Sequence, residues 1–134
     1  ALNVSLGQIL EEGMAARFAR HRLISQACKA AVSALGLTQV PVRAEVAADT
    51  MTAPYFPPNV DRSVLAEIKA AGAILAGGLH PEIRAQYFRI GHMGVVNQAD
   101  ILATIGAVES GLAQAGYSFD HGIGLAAAQK ALLS

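Results

Sequence analysis

The chain has 134 residues, zero formal net charge, 53% hydrophobic and 15% charged residues, and one cysteine. That length suits one domain around a single core, and the composition excludes a disordered segment. The neutral balance argues against a nucleic-acid or anionic-membrane partner, no run reaches the roughly 20 apolar residues of a membrane span, and the lone Cys28 leaves no internal disulfide or cysteine-based zinc site, which fits an intracellular home.

Residues 2–35 read as helix, broken or bent near Gly13. Leu2, Leu6, Ile9 and Leu10 begin without a cap signal, as though the helix were already under way and the natural N-terminus lay upstream. The second half carries an apolar stripe at three- and four-residue steps: Met14, Phe18, His21, Ile24, Cys28, Ala31 or Val32, and Leu35. His21 on that stripe reads as a partly buried histidine with one hydrogen bond, and Arg17, Arg20 and Lys29 as the opposite, polar face. Gly36 is a natural helix end.

Val40–Ala47 alternates Val42, Ala44 and Val46 against Arg43 and Glu45, the pattern of a half-buried strand starting near Pro41. Thr50–Phe56 reads as a second strand, antiparallel to the first because the connection is short, with Pro54 at an edge or bulge. Asp61 caps a helix whose buried face is Val64, Leu65, Ile68 and Ala71, with Val60 and Leu65 forming a hydrophobic staple and Gly72 closing it. Ala73–Ala76 is a short strand running into Gly77-Gly78, which can turn the chain or set bare backbone beside a ligand.

Tyr87, Phe88 and Ile90 make a strand that holds Arg89 and ends at Gly91. A cation on a short strand costs free energy unless it meets an anion. Either Arg89 grips a carboxylate or phosphate with its planar fork, or it pairs with one of the chain's own carboxylates. His92, just beyond, either lines the same pocket or bonds backbone to hold the turn. Asn97 then caps a helix with Asp100 at its third position and Ile101, Ile105, Val108 and Leu112 as its core stripe, ending at Gly116. An alanine-rich helix over about Ile123–Leu133 closes the chain, its small side chains a hint of an interface. The order of elements implies an α+β fold, a small, mostly antiparallel sheet with helices on one face. The stripes Phe18–Leu35 and Ile101–Leu112 are expected to share that face, with Phe18 buried.

Phe88-Arg89-Ile90-Gly91-His92-Met93-Gly94 resembles the last strand and turn of the class V aminotransferases, the alanine–glyoxylate and serine–pyruvate group. Thr50-Met51-Thr52-Ala53, Gly77-Gly78-Leu79, and Glu11-Glu12-Gly13 followed by Ala16-Arg17-Phe18-Ala19-Arg20-His21 are similar to further pieces of that family, in its order and over nearly the whole chain. The resemblance implies a C-terminal small domain over residues 1–134, with residues 1–13 as the helix that links it to a large, cofactor-binding domain absent here. It implies that Arg89 binds the substrate α-carboxylate, with Gly77, Gly78 and His92 beside it. It further implies pyridoxal 5'-phosphate as the cofactor of the intact enzyme, a homodimer, and amino transfer from alanine or serine to glyoxylate or another small 2-oxo acid.

The rest of such a site is not legible. Schiff-base chemistry needs a lysine, an acid facing the pyridinium nitrogen and a phosphate cradle. Lys29, Lys69 and Lys130 each fall on the polar part of a helix. The chain alone is therefore expected to be inactive. Cys28, mid-helix on the apolar stripe, does not suit sulfur transfer. Phosphate-loop, His-Glu-x-x-His and Gly-x-Ser-x-Gly patterns do not occur. A stand-alone amino-acid-binding regulatory domain and a purely structural dimerisation module are the competing readings.

Overall fold

A computed structural model describes residues 1–134. The chain opens with α1 (Leu2–Glu12) and α2 (Met14–Ala34), separated at Gly13, whose φ of 80° a side chain would resist. The α2 helix ends as its sequence dictates. Gly36 (φ 73°) donates to the Ser33 carbonyl and Leu37 to that of Val32, the double closure that a left-handed glycine permits. From Ile24 onward the α2 stripe is core: Ile24, Ala27, Cys28, Ala31 and Val32 are fully buried. Before Ile24 only His21 of the stripe is buried. Phe18 is 63% exposed and Met14 50%, so the expected burial of Phe18 is wrong. The apolar periodicity there marks a face that nothing in this chain covers.

The second correction concerns Val40–Ala47, which is not a strand. Thr38 and Val40 bond to Tyr55 and Ala53, giving a bridge between Gln39 and Pro54, and the chain then leaves the sheet. Pro41 has no N–H to continue the ladder. Val42 (91% exposed) and Val46 (56%) have nothing to pack on, and Ala44–Val46 curls into a 3-10 turn.

The sheet is antiparallel and three-stranded, in the order β1 (Met51–Thr52), β3 (Phe88–Gly91), β2 (Ala76–Gly77). Met51 faces Gly91 and Thr52 faces Ile90. The same register reappears at Tyr55 and Tyr87, with Pro54 accepting a bond from Phe88 between them. The expected strand over Thr50–Phe56 is thus present in outline but broken at its proline. Only Ala76 of the expected Ala73–Ala76 strand pairs, opposite Arg89, and Gly77 pairs with Phe88. Along β3, Phe88 and Ile90 face the helices and are fully buried, which leaves Arg89 on the other face.

All the helices with buried residues belong to the layer behind Phe88 and Ile90. The helix α3 (Val64–Ala70) buries Val64 and Ile68, and Ser63 ahead of it donates its N–H to Asp61. The helix α4 (Gln98–Gln114) begins in a reciprocal capping box between Asn97 and Asp100 and buries Ile101, Ile105, Val108 and Leu112. It crosses α3 closely because residue 111 is glycine. A Cβ there would stand 2.8 Å from the Ile68 backbone nitrogen and overlap the Ile68 side chain. The last helix, α5 (Ile123–Leu132), packs along α2 and starts on Gly122 (φ 85°). Its opening amides are taken by Glu109 of α4, which accepts from the N–H groups of Gly122, Gly124 and Leu125 at 2.9, 2.7 and 3.1 Å.

Candidate functional site

Arg89 stands on the open face of β3, half-buried. Its Nε donates to the carbonyl oxygen of Gly77 at 2.8 Å. Its two terminal nitrogens make no hydrogen bond within the chain. Of the two readings open for Arg89, pairing with an internal carboxylate is absent. The ion pairs join Glu12 to Arg17 and Arg20, and Asp49 to Arg22 and Lys29. With Nε fixed, the terminal edge of the guanidinium is the free fork, and that edge can take both oxygens of a carboxylate.

The fork lines a cavity of about 730 Å³ whose wall includes Met51, Ile74, Leu75, Met93 and Asp100. Arg89 is its only cationic residue. Asp100 is partly occupied, since its Oδ2 accepts the Asn97 N–H at 2.9 Å in the capping box. A surface that covered this largely apolar wall would hold water back from the one cation on it and strengthen its attraction for an anion.

The two glycines play different parts. Gly77 supplies the carbonyl that aims Arg89. Gly78 is required by the chain's own packing, since a Cβ there would come within 2.7 Å of the Arg84 carbonyl oxygen and crowd the Tyr87 ring. The loop beyond is wrapped around Tyr87, whose hydroxyl oxygen accepts the N–H groups of Leu79 and His80 at 2.9 and 3.2 Å.

His92 is not in this cavity. It is fully buried behind β1, its Nε2 is 2.9 Å from the Thr52 hydroxyl, and Nδ1 has no partner. It ties β1 to the turn after β3 through the Thr52 side chain, which is neither of the two roles open to it, lining the Arg89 pocket or bonding backbone. Burial, and after it the positive charge of Lys29, pushes the imidazole down from 6.5 to about 4. The folded state therefore holds His92 neutral where an unfolded chain would begin to charge it. Its contribution is complete above pH 6.5 and is lost as pH falls towards 4. At about 1.4 kcal/mol per pK unit, urea unfolding should show roughly 2–3 kcal/mol lost between pH 7 and 4.5, and a His92→Gln variant should lack that slope. A wild-type profile as flat as the variant's would show that His92 is solvated.

Two residues of α2, Arg20, read as polar face, and His21, read as a histidine on the apolar stripe, belong to the surroundings of the site. Arg20 donates to the carbonyls of Gly94 and Val96 at 2.9 and 2.7 Å and to Glu12. His21 is buried with two hydrogen bonds, where one was expected: Nδ1 lies 2.7 Å from the Arg17 carbonyl and Nε2 accepts the Gly94 N–H at 3.1 Å. The only hint in the sequence was a polar pair, Arg20-His21, at the rim of an apolar stripe.

The residues of this chain do not form a pyridoxal phosphate site by themselves. No lysine lines the Arg89 cavity. Lys29 is tied to the Ala48 carbonyl at 2.8 Å, and Lys69 and Lys130 are exposed. No three His, Cys, Asp or Glu side chains are grouped to hold a metal ion, and no helix is long and apolar enough to cross a membrane.

No protein-family model matches the chain. It is 38% identical over 139 residues to the small subunit of a soluble hydrogenase from a Synechococcus strain, covering 98% of this chain and 34% of that one. It is 35% identical over 128 residues to the serine–glyoxylate aminotransferase of Arabidopsis thaliana, covering 95% and 32%. Among solved structures it superposes on pyridoxamine–pyruvate aminotransferase from Mesorhizobium loti with a TM-score of 0.91 and 30% identity, over 98% of this chain and 34% of that one. The chain spans about a third of the length of the curated relatives it matches. In sequence and in fold, it belongs to the class V aminotransferases and corresponds to their small C-terminal part.

Proposed function

We propose that this chain is the substrate-carboxylate-binding small domain of a pyridoxal-phosphate-dependent aminotransferase that moves an amino group from alanine or serine to glyoxylate or a similar 2-oxo acid. The observation that carries the reading is the free fork of Arg89, without an internal carboxylate and aimed by the Gly77 carbonyl along an apolar wall. A carboxylate is common to amino donor and 2-oxo acceptor, so one arginine serves both directions of transfer. Gly77 acts by holding that arginine, and Gly78 by letting the loop close behind it. His92 acts from behind the sheet, by joining the turn to β1.

The cofactor and the lysine that carries it lie in the large domain, outside this chain. In α1 no residue is buried, and Leu2, Val4, Leu6 and Leu10 are exposed. That supports residues 1–13 as a linking helix covered by the large domain, and a homodimer would cover more of the apolar surface.

The test is reconstitution. Alone, the chain should neither transaminate alanine with glyoxylate nor retain stoichiometric pyridoxal phosphate at one unique lysine after borohydride reduction. Joined to the preceding two-thirds of the polypeptide, it should do both. Saturable, tight binding of alanine or glyoxylate by the isolated chain in calorimetry would point instead to a free-standing amino-acid sensor.

A further inference from the structure

Beyond β3 the chain turns at Gly94, with φ 81°. Two adjacent side chains of α2, more than 70 residues earlier, hold that turn by its backbone. Arg20 Nη1 donates to the Val96 carbonyl and Nη2 to that of Gly94. The Gly94 N–H donates to His21 Nε2. Because Nδ1 of His21 faces the Arg17 carbonyl, Nδ1 carries the ring proton and Nε2 offers the lone pair. The remaining edge of Arg20 meets both oxygens of Glu12, at 2.6 and 2.9 Å, and Arg17 adds a third bond at 2.8 Å. Their hydrogen bonds and charge, that of Arg20 foremost, hold the Glu12 carboxyl down to about 2.

This cluster lies where stability alone is not the economical explanation. Residues 91–94 are the partition between two cavities. Gly91 and Met93 line the Arg89 cavity, while Met93 and Gly94 line a second, of about 690 Å³, bounded also by Ile9, Met14, Phe18 and His21. A shift of the Gly94 turn therefore moves the wall of the Arg89 site. Glu12 lies on the far side of the Gly13 elbow, at the end of a helix with no buried residue. The carboxylate–guanidinium pair is thus the polar tie between the direction of α1 and the turn.

We propose that Arg20 and His21 are positioning residues of the Arg89 site, setting the turn that walls it, and that Glu12 couples this wall to the elbow between α1 and α2. The proposal rests on the reading of Arg89 as the carboxylate grip. It predicts an effect on substrate affinity, since a misplaced wall changes the space in front of a grip that the Gly77 carbonyl still aims.

The experiment is steady-state kinetics with glyoxylate in the aminotransferase polypeptide that carries this chain. Arg20→Lys keeps the charge and loses the fork, and His21→Leu keeps the bulk and loses both bonds. Each should raise the KM for glyoxylate about tenfold with kcat changed less than about threefold, as expected when a displaced wall weakens ground-state and transition-state binding alike while the fork held by Gly77 still aligns the carboxylate. His21→Gln can still donate to Arg17 and accept from Gly94, and should restore KM to within about twofold of wild type. In an Arg89→Lys background, Arg20→Lys should add nothing further to KM. If Arg20→Lys and His21→Leu lower the melting temperature yet leave KM unchanged, while Arg89→Lys raises it, the cluster is a structural staple and the proposal is overturned. If Arg89→Lys itself leaves KM unchanged, the reading of Arg89 fails and the positioning role falls with it. Should Arg20→Lys not fold, Glu12→Gln, which leaves the bonds from Arg20 to the turn available, must raise KM in its place, and an unchanged KM overturns the coupling.

Discussion

Arg89→Ala in the intact aminotransferase should lower kcat/KM for alanine and glyoxylate by roughly 30-fold to a few thousand-fold, the equivalent of about 2–5 kcal/mol for removing one partner of a desolvated charge pair. The size follows from the surroundings of the guanidinium. Its neighbours are mostly apolar, and it is the only cation of this chain lining the cavity, so no second side chain of the small domain can take over the carboxylate. Arg89→Lys keeps the charge but loses the planar fork, and with it the bond to Gly77 that sets the fork's direction. Lysine should therefore recover only part of the loss. Binding at the carboxylate also aligns the rest of the substrate, so kcat should fall with affinity. Cofactor affinity should be nearly unchanged, because no cofactor-carrying residue lies in this cavity. Half-reaction titrations followed by cofactor absorbance measure both. An Arg89→Ala enzyme within about threefold of wild type, less than ~0.7 kcal/mol of transition-state stabilisation, would make Arg89 a structural residue.

Glu109→Ala should be among the most destabilising single changes in the chain, costing about 2–4 kcal/mol in urea unfolding. Glu109 is only 7% exposed, and its carboxylate accepts three amides at the start of α5, a helix end that carries partial positive charge. Alanine removes the acceptor and leaves buried N–H groups without a partner. Glu109→Gln keeps one oxygen but turns an amide NH₂ towards a backbone donor, so it should fall between alanine and wild type. The space is specific as well: a Cβ at Gly124 would come within 2.8 Å of the Glu109 carboxylate. A loss below about 1 kcal/mol for Glu109→Ala would mean that water replaces the carboxylate without cost.

These two residues were not equally legible. Arg89 announced itself as a cation among aromatic and β-branched residues on a strand. What orients it is a backbone carbonyl, which carries no residue identity and was therefore invisible. Glu109 falls four residues after Ile105 and three before Leu112, on the apolar stripe itself, and that misplaced charge was a usable signal of a buried cap. The helices from Ile24 and from Gln98 were readable because caps, periodicity and terminal glycines agreed. Val40–Ala47 and Phe18 were misread for one shared reason. Alternation and periodicity reveal an apolar face, but not whether this chain or another surface covers it. Arg20 was assigned to solvent by default, because its partners at Gly94 and Val96 are remote in sequence and are again backbone atoms.

That the Gly77 carbonyl aims Arg89 has a consequence for redesign. Substitution cannot delete a main-chain oxygen, so the direction of the guanidinium is inherited from strand pairing rather than from any neighbour's identity. Met51, Ile74 and Met93, which shape the space beside it, can then be exchanged while the anchor stays where it is. On the proposed reading of Arg89, recognition of the carboxylate and choice of the remaining substrate would be separable traits of this small scaffold. Libraries aimed at new amino donors belong at those three positions.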